Sequence, residues 1–148
     1  MVGVAPRNHG PNVTLLAAMS REGITAAMTM TGANDGTVWT LFARQILAPS
    51  LHPGQIVIWD NLGVHKNQAV RQLIEAQGCQ VRFLPPYSPD FSPIEQAFSK
   101  LKTALRQAGA RSRPDLEAAI AAGLATITPR DASAWFRHCG YALPEQLL

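Results

Sequence analysis

The apolar residues of this chain fall into short runs in its first half and into helical stripes in its second. Asn12 to Met19 (NVTLLAAM) and Ile24 to Met30 (ITAAMTM) read as two strands. The turn sequence Ser20-Arg21-Glu22-Gly23 between them predicts an antiparallel hairpin. Thr37 to Leu47 follows with Val38, Leu41, Phe42 and Ile46 at helical spacing, and Pro49 is expected to end it. Gln55 to Asp60 is a β-branched strand entered through Pro53-Gly54. Lys66 to Gln77 reads as a helix with Val70, Leu73 and Ile74 on one face and Gly78 as its stop. Gln80 to Leu84 is the next strand. Strand, helix and strand within about 30 residues make a βαβ unit, which calls for parallel pairing and a right-handed crossover.

The second half is helical. Pro93 to about Ala108 carries Ile94, Phe98, Leu101 and Leu105 on one face, with Ala97 alongside. A further helix is expected over Pro114 to Thr126, with Asp115 and Glu117 suited to its first turn. Thr128-Pro129 opens a last helix toward Arg137, with Trp135 and Phe136 as packing residues. No linker or repeat divides the 148 residues, so one α/β domain spanning 1–148 is expected. With 47% apolar and 16% charged residues the chain reads as globular.

Chemistry concentrates in Pro85-Pro86-Tyr87-Ser88-Pro89-Asp90-Phe91-Ser92-Pro93-Ile94-Glu95. Four prolines restrict φ through this connection, so Glu95 is held on the first helical turn by a stiff loop. Ser92-Pro93-Ile94-Glu95 is also a capping box with proline at the first helical position, and capping alone would account for the glutamate. The helical wheel adds an observation that capping does not predict. Glu95, Ser99, Lys102 and Arg106 fall within a narrow arc about 100° from the centre of the core stripe. Asp60 ends the apolar run Ile56-Val57-Ile58-Trp59, with 34 residues between it and Glu95. The carboxyl end of a parallel strand is where open α/β sheets place ligands, although an isolated Asp60-Asn61 also suits a turn or cap. Two such acids could hold Mg²⁺, a hard ion that prefers oxygen ligands. A pair of ions about 3.5–4 Å apart would cut a phosphodiester, but it calls for about three acids. His65 and Asp90 are weaker candidates, and Asp35 reads as a turn residue. Tyr87 and Trp59 could stack on bases, although core packing suits Trp59 better.

Net charge is +3 and the isoelectric point about 9.2. Lys100, Lys102, Arg106, Arg111 and Arg113 form a basic stretch with no acid between Glu95 and Asp115, suited either to phosphates or to a solvated helix face. Cys79 and Cys139 stand alone, without the spacing of a disulfide framework or zinc site, as expected of reduced cytosolic thiols. No apolar run approaches membrane length and no leader pattern opens the chain, so a cytoplasmic protein with no membrane partner is expected.

Asp60-Asn61 with His65-Lys66, followed by the proline-rich run into Glu95, closely resembles a DDE transposase. The likeness is to the bacterial insertion-sequence branch of the mariner superfamily (insertion sequence family 630). It covers nearly the whole chain, including the hairpin at Val13 and the terminal Trp135-Phe136…Gly140-Tyr141 segment. The resemblance implies an RNase H-like fold, Mg²⁺ or Mn²⁺, and cut-and-paste DNA transposition by endonuclease and strand-transfer chemistry. Carried over, Asp60 becomes the second catalytic and metal-binding acid and Glu95 the third, and the helical arc that sets Lys102 and Arg106 beside Glu95 suits them to binding DNA phosphates. The family's first acid normally sits on a strand before the hairpin, and on this resemblance the chain is expected to begin too late to include it. The resemblance therefore implies an N-terminally truncated catalytic domain lacking its first, central strand, with open strand edges. Activity alone is expected to be low. Expected partners are transposon-end and target DNA, a second copy in a homodimer, or a separate transposase N-terminal part. An inactive remnant that binds DNA or a full-length transposase is the alternative.

Overall fold

In the computed structural model, which describes residues 2–8, 13–31, 36–59, 68–83 and 92–141, five strands form one sheet. They are β1 (Val2–Asn8), β2 (Val13–Ser20), β3 (Gly23–Thr31), β4 (Ile56–Trp59) and β5 (Gln80–Phe83), in the order β3-β2-β1-β4-β5. The expected hairpin is β2–β3, closed by Arg21-Glu22 with Ser20 paired to Gly23. Gly23 takes φ +114°, open to glycine and costly to other residues. The Ser20 hydroxyl accepts a bond from the Glu22 amide at 3.1 Å, which tightens the turn. β4 and β5 run parallel from Ile56↔Gln80 to Trp59↔Phe83, as the βαβ pattern requires.

The centre of the sheet differs from the sequence reading. Instead of a vacancy there is β1, antiparallel to β2 from Gly3↔Met19 to Asn8↔Thr14 and parallel to β4 from Val2↔Val57 to Val4↔Trp59. The edges expected to be open are therefore paired. Gly3 and Pro6 hid this strand, because glycine weakens a strand and proline lacks a ladder donor. Pro6 lies beyond the described β1–β4 pairs, which run to Val4↔Trp59, and is paired to Leu16 of β2.

Every residue of β2 is buried, so its two faces feed two cores. Leu16 and Ala18 join Val57, Trp59 and Val81 on one side, under Trp39 and Phe42. Leu15, Ala17 and Met19 join Ile58 on the other, under Ile94, Phe98, Leu101 and Phe136. Period-two alternation makes this division, and each large side chain removed from water contributes about 1.5–3 kcal/mol.

The first core is roofed by α1 (Gly36–Phe42), which runs through a π-helical turn (Ala43–Leu47) into the short α2 (Ala48–Ser50). Pro49 therefore lies inside the helical path rather than ending it, a correction to the sequence reading. The wide turn, closed by the Ala48 amide on the Ala43 carbonyl, relieves the clash a proline ring makes with the carbonyl four residues back. α3 (Gln68–Glu75) completes this roof with Val70 and Ile74, then turns through Gly78 at φ +78°.

The second core lies under α4 (Ile94–Ala108), α5 (Arg113–Ala125) and α6 (Pro129–His138). Ser112 caps α5 by accepting from the Asp115 amide at 3.2 Å, and Thr128 with Asp131 forms a full capping box on α6. α4 packs on β1, α6 on β2 and β3, and α5 on β3 and α4. Gly123 permits the α4–α5 approach, since a Cβ there would lie 2.5 Å from the Leu101 Cδ1.

Candidate functional site

Glu95 stands on the first turn of α4, half-buried. Its amide donates to the Ser92 carbonyl at 3.1 Å and the Gln96 amide to the Pro93 carbonyl at 3.1 Å, so the helix starts on a tight turn. Ser92, Pro93 and Ile94 are all buried, anchoring that turn in the second core. The carboxylate is thus held at a helix N-terminus, where negative charge is favoured.

The two flanks of α4 differ in chemistry. Leu101 and Ala104 face α5 at Gly123. Lys100, on the same flank, donates from Nζ to the Thr126 carbonyl at 3.0 Å and to the Asp131 Oδ2 at 2.6 Å. At about 100° per residue, Glu95, Ser99, Lys102 and Arg106 line the opposite flank. Ser99, Lys102 and Arg106 are exposed there, and the two cations make no ion pair among the described residues.

The basic stretch of the sequence therefore divides. Lys100 is a structural clasp, and Arg113 is engaged by Glu117 at 3.1 Å and by the Thr31 hydroxyl. Lys102, Arg106 and Arg111 remain exposed. The hydrogen bond from Lys100, then that from the Thr128 backbone, holds the Asp131 carboxyl below its ordinary pKa. A depressed carboxyl stabilises the fold above its unfolded-state pKa, and that contribution disappears as pH falls through the folded-state value. Asp131→Asn should therefore lower Tm modestly at neutral pH, because the pair is 39% and 30% exposed and screened by solvent. The difference from wild type should vanish in acid, as thermal melts from neutral pH downward would show.

Asp60, together with Asp35, His65, Lys66, Tyr87, Asp90 and the run Pro85–Phe91, lies outside the described residues. Their neighbours are described. Ile58, two residues before Asp60, and Ile94, one residue before Glu95, pack in the same core cluster. Trp59 is a core residue, 1% exposed with its ring centroid 5.1 Å from that of Trp39. Cys79 and Cys139 are buried and share no disulfide.

A set of metal donors must come from more than one strand, and β1 supplies no acid. It reads Val-Gly-Val-Ala-Pro-Arg-Asn, and the first carboxylate of the chain is Glu22, in the hairpin turn. Among the described residues no group of three His, Cys, Asp or Glu could hold a metal ion. The acids singled out from the sequence suit one hard divalent ion and fall short of a pair.

A recess of about 520 Å³ lies at the free edge of β5, lined by Arg71, Glu75, Gly78, Cys79, Gln80, Val81 and Arg82. From the sequence, Arg82 falls in the strand Gln80 to Leu84 with no role assigned to it. The polar–apolar–polar alternation Gln80-Val81-Arg82 hinted at an exposed face, which the structure shows with Gln80 and Arg82 exposed and Val81 buried. No described helix is long and apolar enough to cross a membrane.

Comparison with solved structures gives this architecture a class. The chain superposes on the catalytic domain of Mos1 transposase bound to raltegravir with Mn, at a TM-score of 0.78. That match is 17% identical and covers 93% of this chain and 78% of that one. The Mos1 strand transfer complex matches at a TM-score of 0.70, 18% identical, over 91% of this chain and 42% of that one. An intasome of simian T-cell lymphotropic virus matches at 0.63, 14% identical, over 80% and 46%. The fold is therefore the RNase H-like one. No curated protein matches the sequence. The profile of the DDE superfamily endonucleases matches residues 2–117, and the chain belongs to that family.

Proposed function

We propose that this chain is the catalytic domain of an insertion-sequence transposase of the family 630 type, which cleaves and joins DNA strands once its acid set is complete. The packing of Ile58 against the same core as Ile94 supports this reading most directly. It draws the end of β4 and the start of α4 together, although 34 residues separate Asp60 from Glu95 in the chain. Asp60 and Glu95 then hold a divalent ion, Mg²⁺ or Mn²⁺, which supplies Lewis-acid polarisation of a phosphodiester oxygen. Lys102 and Arg106, on the flank that carries Glu95, neutralise phosphates of the bound DNA. The protein acts in the cytoplasm, and the two ends of an element are held by two copies.

A second reading rests on the acid-free β1: a remnant that binds DNA or a complete transposase without cutting. Nicking of element-end DNA with Mn²⁺ separates the two. Under the first reading wild type nicks, and Asp60→Ala and Glu95→Ala each lower the rate by more than the roughly 10–100-fold that outer-sphere changes cost at metal sites. DNA binding with no cleavage at any Mn²⁺ concentration would establish the second reading for this chain.

A further inference from the structure

We infer that β5 takes part in binding DNA, with Arg82 as a phosphate contact on the floor of a trough whose wall is the Glu95–Lys102–Arg106 flank of α4. The inference rests on the DNA-binding reading above and extends it to a residue on a different element. Register places Arg82 first. It pairs with Ile58, and Gln80 pairs with Ile56, in the parallel β4–β5 ladder. Ile58 belongs to the core beneath α4, whereas Val81 belongs to the opposite core beneath α1 and α3. Gln80 and Arg82 therefore lie on the α4 side of the sheet.

That side is covered unevenly. α6 packs on β2 and β3, α5 on β3, and α4 on β1, so the helical layer is concentrated toward the hairpin. Gln80 and Arg82 are exposed at the other end of the sheet. α4 turns its Lys100, Leu101 and Ala104 flank toward α5 and α6. Its opposite flank, with Lys102 and Arg106, therefore faces the β5 side, which no described helix covers on this face of the sheet.

The charge balance of this trough favours a polyanion. The Arg82 guanidinium donates to the Gln80 side-chain oxygen at a long 3.4 Å and makes no ion pair among the described residues. The nearby acid Glu75 is already engaged by Arg71 at 2.7 Å. Asp115, Glu117 and Asp131 belong to α5 and α6, on the far flank of α4. Three cations from two elements thus lie on the side of the sheet that carries Glu95, a layout suited to the phosphates of a duplex.

The test is the salt dependence of binding to duplex DNA for the whole chain, by fluorescence anisotropy. One phosphate contact adds about 0.9 to the slope of log K against log salt. Arg82→Gln should reduce the slope by about that amount, so its binding defect should be about 3-fold larger at 50 mM than at 200 mM salt. Arg130→Gln, on exposed α6, should leave the slope unchanged. If Lys102→Ala lowers the slope while Arg82→Gln matches wild type, β5 is not part of the interface and the DNA-binding reading stands. If Arg130→Gln lowers the slope as much as Arg82→Gln, the effect is general charge and the trough is refuted. A wild-type chain that binds no DNA would overturn both.

Discussion

Trp39→Ala is expected to destabilise the domain by about 3–5 kcal/mol, the cost of emptying an aromatic site in a packed core. Trp39 is 0% exposed. Its ring meets Phe42 edge-on at 6.0 Å between centroids and lies 5.1 Å from Trp59, so it bridges α1 to β4. Truncation removes contacts with both elements at once, and β4 is too short to rearrange around the void. Whole domains are stable by only about 5–15 kcal/mol, so much of the margin would be lost. Urea melts should show a lower midpoint with an unchanged slope, and Tm should fall by roughly 6–20 °C. A loss below about 1 kcal/mol would mean that the aromatic cluster is not an energetic centre of the fold. Because Trp59 immediately precedes Asp60, the variant should also weaken any metal-dependent activity at temperatures where it remains folded.

Much of this molecule was legible from local chemistry. The β2–β3 hairpin follows from one turn, the parallel β4–β5 pair from one βαβ pattern, and the start of α6 from Thr128-Pro129. Each signal lies within a few residues of what it determines. β1 was missed because its stability comes from two remote partners, while its own Gly3 and Pro6 argue against a strand. Pro49 misled for a related reason: the π turn that accommodates it is set by packing against the first core. At the site, Glu95 and the exposed Lys102–Arg106 stripe were readable because helical geometry fixes their common face. The role of Lys100 was not, since its carboxylate partner lies 31 residues away on another helix. Arg82 needed the sheet register, which shows which face an edge strand presents.

The finding that a strand without an acid fills the centre of the sheet leads to the second large expectation, a gain of metal binding in Ala5→Asp. β1 and β4 are parallel, and their described register ends at Val4↔Trp59, so Ala5 follows the last described pair on β1. Ala5 also pairs with Ala17, a member of the core beneath α4. A carboxylate introduced there is expected to join the acids of the proposed site from a third element. Without metal the variant should be less stable than wild type, because a carboxylate beside a core has no compensating charge. Mn²⁺ should reverse the loss, because an ion that binds only the folded state stabilises it by about 2.7 kcal/mol at one hundred times its Kd. For a domain of this size that is a Tm rise of roughly 5–10 °C. Adding Asp60→Asn or Glu95→Gln to the variant should abolish the rise, which ties the ion to those side chains rather than to the surface. A melt of Ala5→Asp that responds to Mn²⁺ no more than wild type does would show that β1, although central, does not place its residues beside the acids of β4 and α4.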